Sequence, residues 1–232
     1  FAATSEDALR ALVGAYDDAD WMGNYQGRPQ PPAGYIFRRE FVQFATEIPK
    51  DARGVVFVDP NLSKKSKGDT TGIARLRYSP TTELYYLGGI ARSFSSAGEL
   101  LEAALDMMGG WSSQLGMDGN VSQESHWSQH IRAWCRIHKR PFPPVHFKHY
   151  HVDQIAGNLH KLWIDGLVRL EPSMANSPAL EQLIAFTSKA AGNKDDFPDA
   201  AISAAQMLND RRMDRGSGQR QTTASLIIPD VY

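Results

Sequence analysis

The spacing of hydrophobic and polar residues predicts several strands in the first half of the chain. Residues 54–59 (GVVFVD) are a continuous β-branched and aromatic run that ends in an acidic residue, which is typical of a strand buried on both faces. Runs at 70–78 and 83–94 follow at hairpin distances, with turn residues between them. The pattern therefore predicts a three-stranded meander.

Helical spacing replaces this pattern in the second half of the chain. We expect helices at residues 97–115, 131–140, 152–166, 179–191 and 198–209, a short strand leading into Glu124, and further strands at 145–151 and 167–170. Gly109-Gly110 is typical of a helix-ending turn rather than of a phosphate-binding loop. Strands followed by alternating helices and strands indicate a mixed sheet covered by helices.

The two ends of the chain have a different pattern. Residues 4–17 predict a capped amphipathic helix, and the Pro/Gly-rich residues 24–34 predict an extended linker. The polar, Gly/Ser-rich stretch after residue 210 predicts a mobile C-terminal tail.

Composition narrows the class of protein. The 232 residues are 42% hydrophobic and 22% charged with a formal net charge of -1, the profile of a soluble globular protein. No apolar run approaches the roughly 20 residues that span a bilayer, so we expect no membrane span, and no secretion signal is visible. The one cysteine, Cys135, excludes an internal disulfide and a thiolate zinc site, which favours a reducing cytoplasm.

Carboxylates occur at positions that could form a catalytic or metal-binding site. Asp59 ends the most apolar strand, Glu124 is expected to end a later strand, and Asp196 and Asp199 open the last helix. Each position alone has an ordinary explanation as a turn former or a helix cap. Several carboxylates at one sheet edge would repel one another unless a divalent cation compensated them, and oxygen ligands suit Mg²⁺. Two such ions could hydrolyse a phosphodiester.

Three separate segments carry a family resemblance. They are residues 21–29 (WMGNYQGRP) with 34–38 (GYIFR), the strand-Asp-Pro run 55–60 with the Lys/Gly-rich residues after it, and the acidic motif 194–200 (KDDFPDA). Together they resemble the nuclease domain of the large terminase subunit of tailed bacteriophages, over about residues 15–210. The resemblance implies an α/β, RNase H-like fold with a central mixed five-stranded sheet and helices on both faces.

The resemblance also implies a domain organisation and a metal site. Residues 1–50 would be a linker or the end of an ATPase motor, 51–210 the nuclease domain, and 211–232 the tail. Asp59 would be the first metal ligand, Glu124 the second, and Asp196 and Asp199 the third position. Asp196 is favoured there as the direct ligand, since Asp199 could act through water.

Neighbouring acids have secondary roles in this interpretation. Asp195 would be a cap or would support the ligands from behind. If Glu124 is not a ligand, Asp118 and Asp106 are the nearest substitutes, although both suit solvated helix or loop roles. The implied cofactors are two Mg²⁺ or Mn²⁺ ions.

Basic and histidine-rich stretches are further candidate binding sites. Lys64, Lys65 and Lys67 lie on a turn after Asp59 and are expected to contact the DNA backbone. A second basic stripe comprises Arg132, Arg136, Lys139 and Arg140, for which a solvated helix face is the default interpretation, with DNA or another packaging component as the alternative. His146, His149 and His151 are interpreted as surface or partly buried residues and not as a zinc site, because a strand would turn at most two of them to one ion.

The predicted function is a metal-dependent DNA endonuclease that cuts concatemeric viral DNA during genome packaging. By resemblance the partners are double-stranded DNA, the small terminase subunit, the portal and the enzyme's own ATPase domain, in the cytoplasm of a bacterial host. No GxxxxGK[ST] motif occurs, so no nucleotide binding is expected. Two alternatives stay open: a RuvC-like junction resolvase or transposase-type nuclease, and a non-catalytic DNA-binding or docking module of the packaging motor.

Overall fold

One mixed sheet organises the part of the chain that the computed structural model describes, namely residues 36–60, 70–109, 113–119, 121–150, 152–187 and 195–216. Its six strands are β1 (Arg53–Asp59), β2 (Thr71–Ser79), β3 (Leu84–Arg92), β4 (Ser113–Met117), β5 (Val145–Phe147) and β6 (Val168–Leu170). Five helices accompany them within these ranges: α1 (Ala97–Met108), α2 (Val121–Ile137), α3 (Val152–Ile164), α4 (Pro178–Ala185) and α5 (Asp196–Gly216). The helix expected at residues 4–17 and the linker at 24–34 lie outside the described residues.

The strand order is β5-β4-β1-β2-β3-β6. Strand β2 is antiparallel to β1 and β3, and the other pairings are parallel. The predicted meander of the first three strands is confirmed. The strand expected at residues 167–170 is present as β6 beside β3, and the sheet has six strands in the described residues rather than the five expected. The carboxyl ends of β1, β3, β4 and β5 consequently lie at one edge of the sheet, where β2 begins.

Helix α1 ends earlier than the sequence analysis predicted. Gly109 takes the left-handed conformation with φ 61° and closes the helix after Met108. The residues that follow are therefore free to form β4, which pairs in parallel with β1. The strand expected before Glu124 is wrong, since Glu124 lies in the first turn of α2.

Helices cover both faces of the sheet, as expected. Alternate residues of β1 point to opposite sides, so that Val55 and Phe57 pack with α3, α4 and α5, while Val56 and Val58 pack with α1 and α2. The helical tryptophans Trp127, Trp134 and Trp163 are buried in these two cores. Phe37 is also buried, against Trp163 at a ring distance of 5.5 Å. No helix in the described part of the chain is long and apolar enough to cross a membrane.

Helix α5 makes its closest approach to the sheet at two glycines. A side-chain carbon on Gly72 of β2 would lie 1.9 Å from the backbone oxygen of Asp196, and one on Gly89 of β3 would lie 2.1 Å from the ring of Phe197. Phe197 itself is fully buried. The first turn of α5 is thus fixed against the sheet at the edge where β1 ends.

Replacing Gly72 with alanine tests this close approach. The new methyl group has no room beside the helix backbone, so we expect the Gly72→Ala variant to lose about 1–3 kcal/mol of unfolding free energy, measured by equilibrium urea denaturation. Gly98→Ala is the matched control, because Gly98 lies in the first turn of α1 with its nearest neighbour 3.8 Å away. The control is expected to gain about 0.4–1 kcal/mol. A Gly72→Ala variant as stable as the parent would contradict the packing.

Candidate active site

Asp59 and Asp118 end two neighbouring parallel strands. Asp59 is the last residue of β1, and Asp118 follows Met117 at the end of β4. The backbone N–H of Asp118 donates to the carbonyl oxygen of Val58 at 2.8 Å, which continues the ladder to this position. The two carboxylates are therefore held at the same edge of the sheet.

The first turn of α5 brings further carboxylates to this edge. Asp196 and Asp199 lie in that turn, and Asp195 precedes it, with its carbonyl oxygen accepting from the N–H of Asp199 at 2.8 Å. Gly72, against which the Asp196 backbone packs, is the register partner of Asp59. We call Asp59, Asp118, Asp195, Asp196 and Asp199 the acidic edge.

Burial and mutual repulsion raise the pKa values of three carboxylates of the acidic edge. Burial, reinforced by the carboxylates of Asp118, Asp196 and Asp195, raises the pKa of Asp59 to about 7. Burial and the same kind of repulsion, from Asp195 first, raise the pKa of Asp199 to about 8. The pKa of Asp195 is raised as well, chiefly by burial. The carboxylates of the acidic edge therefore lie close enough to repel one another.

A histidine joins this edge from β5. His149 follows the strand, and its Nδ1 lies 2.8 Å from Oδ1 of Asp118. His149 acts on the pKa of Asp59 in the lowering direction, against the carboxylates. His149 was expected to be a surface or partly buried residue and is 60% exposed, but its contact with Asp118 was not anticipated.

Glu124 lies on helix α2 and not at the end of a strand. It is exposed, and the principal electrostatic causes of the raised pKa of Asp59 and of Asp199 are other carboxylates, Asp118 among them. The residue at the end of the strand next to β1 is Asp118. A local signal was available, since a strand followed by Asp occurs both at GVVFVD and at SQLGMD, and the glycine pair after α1 separates the second from the helix.

Asp106, the other substitute, pairs with a residue outside the acidic edge. It is exposed near the end of α1, where its Oδ1 accepts from Nη1 of Arg140 at 3.2 Å. Arg132, Arg136 and Lys139 of the second basic stripe are exposed, in keeping with a solvated face. Lys64, Lys65 and Lys67 lie outside the described residues, so their expected DNA contact stays a prediction.

The chemistry of the donor set fits a hard divalent cation. The acidic edge offers carboxylate oxygens from three distant segments, and cations of the Mg²⁺ and Mn²⁺ type prefer such ligands. A cation would also offset the repulsion and burial that raise the pKa values of Asp59 and Asp199. In the positions described here, no three carboxylate, imidazole or thiolate groups converge closely enough to enclose an ion.

Comparisons with known proteins identify the fold. No protein-family model matches the chain, and no curated protein sequence matches it significantly. The nuclease domain of the P22 large terminase is 13% identical with a TM-score of 0.52, over 81% of this chain and 98% of that one. The human cytomegalovirus terminase nuclease domain is 15% identical with a TM-score of 0.55, over 76% of this chain and 94% of that one.

Two further matches extend the comparison. The large terminase of the thermophilic bacteriophage D6E is 9% identical with a TM-score of 0.50, over 89% of this chain but 51% of that one. A manganese-soaked form of the cytomegalovirus domain is 12% identical with a TM-score of 0.53, over 75% of this chain and 93% of that one. The chain therefore has the RNase H-like fold of terminase large-subunit nuclease domains, as the sequence resemblance implied.

The raised pKa values predict how stability depends on pH when divalent ions are absent. Asp59 and Asp199 bind protons more tightly in the folded state than in the unfolded chain, where an Asp has a pKa of roughly 3.9. Unfolding between these limits releases protons, so the free energy of unfolding should fall as pH rises from about 5 to about 8. Urea denaturation in EDTA at several pH values measures this trend.

Substitution separates the acidic edge from the rest of the chain. Asp59→Asn should flatten the fall and stabilise the protein at pH 8, because the amide cannot ionise. Asp106→Asn, at an exposed carboxylate, should leave the slope unchanged. Stability that stays level or increases over this pH range in the parent would contradict the electrostatic coupling.

Proposed function

We propose that the chain is a metal-dependent DNA endonuclease that cuts concatemeric viral DNA during genome packaging. The observation that supports this most strongly is the gathering of Asp59, Asp118 and the carboxylates of the α5 entrance at one sheet edge, with pKa values near 7 and 8 for Asp59 and Asp199. Packing holds these repelling groups together, which favours a site that acts on a cation. The fold shared with terminase nuclease domains agrees with this assignment.

The acidic edge would hold two Mg²⁺ or Mn²⁺ ions. Asp59 is the central ligand because it lies between the β4 end and the α5 entrance, and Asp196 and Asp199 supply the α5 side. Asp118 takes the second position in preference to Glu124. Ligation by three of these carboxylates requires side-chain rotation toward a common point. Bound ions of this type supply activation of a water molecule and stabilisation of the leaving oxygen in phosphodiester hydrolysis.

The remaining assignments follow from the same proposal. The substrate is double-stranded DNA, and Lys64, Lys65 and Lys67 are proposed to contact its backbone. Sequence preference should be low, since the chain carries no motif that reads bases. The small terminase subunit, the portal and an ATPase domain are the proposed partners, in the cytoplasm of a bacterial host. No P-loop motif occurs in the sequence, so we assign ATP hydrolysis to the ATPase domain proposed as a partner.

Cleavage of supercoiled plasmid tests the proposal. The chain should nick and linearise the plasmid with Mg²⁺ or Mn²⁺ and leave it intact in EDTA. Asp59→Asn should lower the rate by at least about 100-fold, because a neutral amide is a poor replacement for a carboxylate ligand, while Asp106→Asn cuts at the parent rate. If Asp59→Asn cuts as well as the parent, the assigned site is wrong. Strong preference for branched over linear DNA would favour a junction resolvase instead, and plasmid binding without any cleavage would favour a docking module.

The same assay distinguishes Asp118 from Glu124 as the second ligand. We expect Asp118→Asn to lose at least about 10-fold in cleavage rate and Glu124→Gln to retain the parent rate, because the Asp118 carboxylate is the largest electrostatic cause of the raised pKa of Asp59 and Glu124 is an exposed helix residue. Both substitutions replace a carboxylate by its amide, so each serves as the control for the other. The reverse result would restore Glu124, and retention of activity by both variants would remove the second position from this edge.

A further inference from the structure

A chain of hydrogen bonds leads from helix α4 to the acidic edge. The side-chain oxygen Oε1 of Gln182 accepts from the backbone N–H of Phe197 at 3.0 Å. The side-chain nitrogen Nε2 of Gln182 donates to Oγ1 of Thr70 at 3.0 Å, and that hydroxyl donates to Oδ2 of Asp196. The bonds join three segments that are far apart in sequence, just before β2, in α4 and at the start of α5.

The backbone N–H of Phe197 determines the donor and the acceptor of every hydrogen bond in this series. A backbone N–H can only donate, so the atom of Gln182 that faces Phe197 must be the amide oxygen. The amide nitrogen therefore faces Thr70, and a nitrogen that donates occupies the acceptor side of the hydroxyl. The single proton of Thr70 is consequently directed outward, to the Asp196 carboxylate.

The hydrogen-bonded groups of Gln182 and Phe197 are buried. Gln182 is 8% exposed, and the N–H of Phe197 lies in the buried first turn of α5. Such polar groups are costly to bury without partners, so the bonds between them hold the amide and the hydroxyl in place. The hydroxyl engages Oδ2 and leaves Oδ1 of Asp196 outside this chain of bonds.

We propose that Thr70 and Gln182 are positioning residues that orient the Asp196 carboxylate for cation binding at the acidic edge. This inference rests on the function proposed above. Gln182 fixes the start of α5 through the Phe197 N–H and fixes Thr70 through its amide nitrogen. Thr70 then restricts rotation of the Asp196 side chain, as residues that hydrogen-bond to metal ligands commonly do.

Binding of Mn²⁺ to the metal-free protein tests this role without relying on catalysis. Titration followed by the electron paramagnetic resonance of free Mn²⁺ gives the dissociation constant. Thr70→Val, which has the same shape but no hydroxyl, should weaken Mn²⁺ binding by about 10-fold or more. Thr70→Ser, which keeps the hydroxyl, should bind within about twofold of the parent, so a loss due to the altered side-chain volume alone is distinguished from loss of the bond.

Gln182→Leu provides a second variant that removes both bonds from the α4 side. It should also weaken Mn²⁺ binding, and urea denaturation without metal establishes that each variant is folded. Parent-like Mn²⁺ affinity in folded Thr70→Val or in folded Gln182→Leu would overturn the positioning role while leaving the proposed function intact. Equal losses in Thr70→Val and Thr70→Ser would overturn it too. Absence of saturable Mn²⁺ binding in the parent would instead reject the proposed function, and this inference with it.

Discussion

The contact between the first turn of α5 and strand β2 is the constraint on which the acidic edge depends. Gly72 and Gly89 leave the space that the Asp196 backbone and the Phe197 ring occupy. Burial of an aromatic ring contributes about 1.5–3 kcal/mol, and Phe197 is fully buried there. Apolar packing thus holds Asp196 and Asp199 beside Asp59, although the charges alone would drive these residues apart.

This arrangement places an electrostatic cost at one end of a well-packed sheet. The rest of β1 is buried on both faces, so its terminal residue cannot move away from the α5 entrance without disturbing two cores. Protonation reduces the repulsion between the carboxylates, as the raised pKa values of Asp59 and Asp199 indicate, and a bound cation would reduce it too. Carboxylates that repel one another in this position do not stabilise the fold, which is why we propose a functional role for the acidic edge.

Local signals in the sequence were sufficient for part of the site. Asp59 ends a strongly apolar run, and the acidic opening of α5 has the pattern of a helix start, so both were predicted from short windows. Asp118 was considered only as a substitute for Glu124, because its five-residue strand has weak periodicity and overlaps the helix predicted over residues 97–115. Without that strand, the second acid was assigned to Glu124. Thr70 and Gln182, which are separated by 112 positions, meet only in the folded chain, and no local pattern could connect them.

Strand β6, which the sequence predicts at residues 167–170, is the sixth strand of the sheet and leads into helix α4. Glu171 directly follows β6 and is buried between the guanidinium groups of Arg75 and Arg77 on β2, in space that Gly88 leaves open. Removing one member of such a group leaves a buried charge unpaired, which typically costs about 3–5 kcal/mol. These ion pairs anchor the end of β6 to the sheet, and the chain then continues through a 3-10 turn into α4, which carries Gln182. Strand β6 thus leads into α4, whose Gln182 accepts from the first turn of α5 and, through Thr70, is linked to the Asp196 carboxylate.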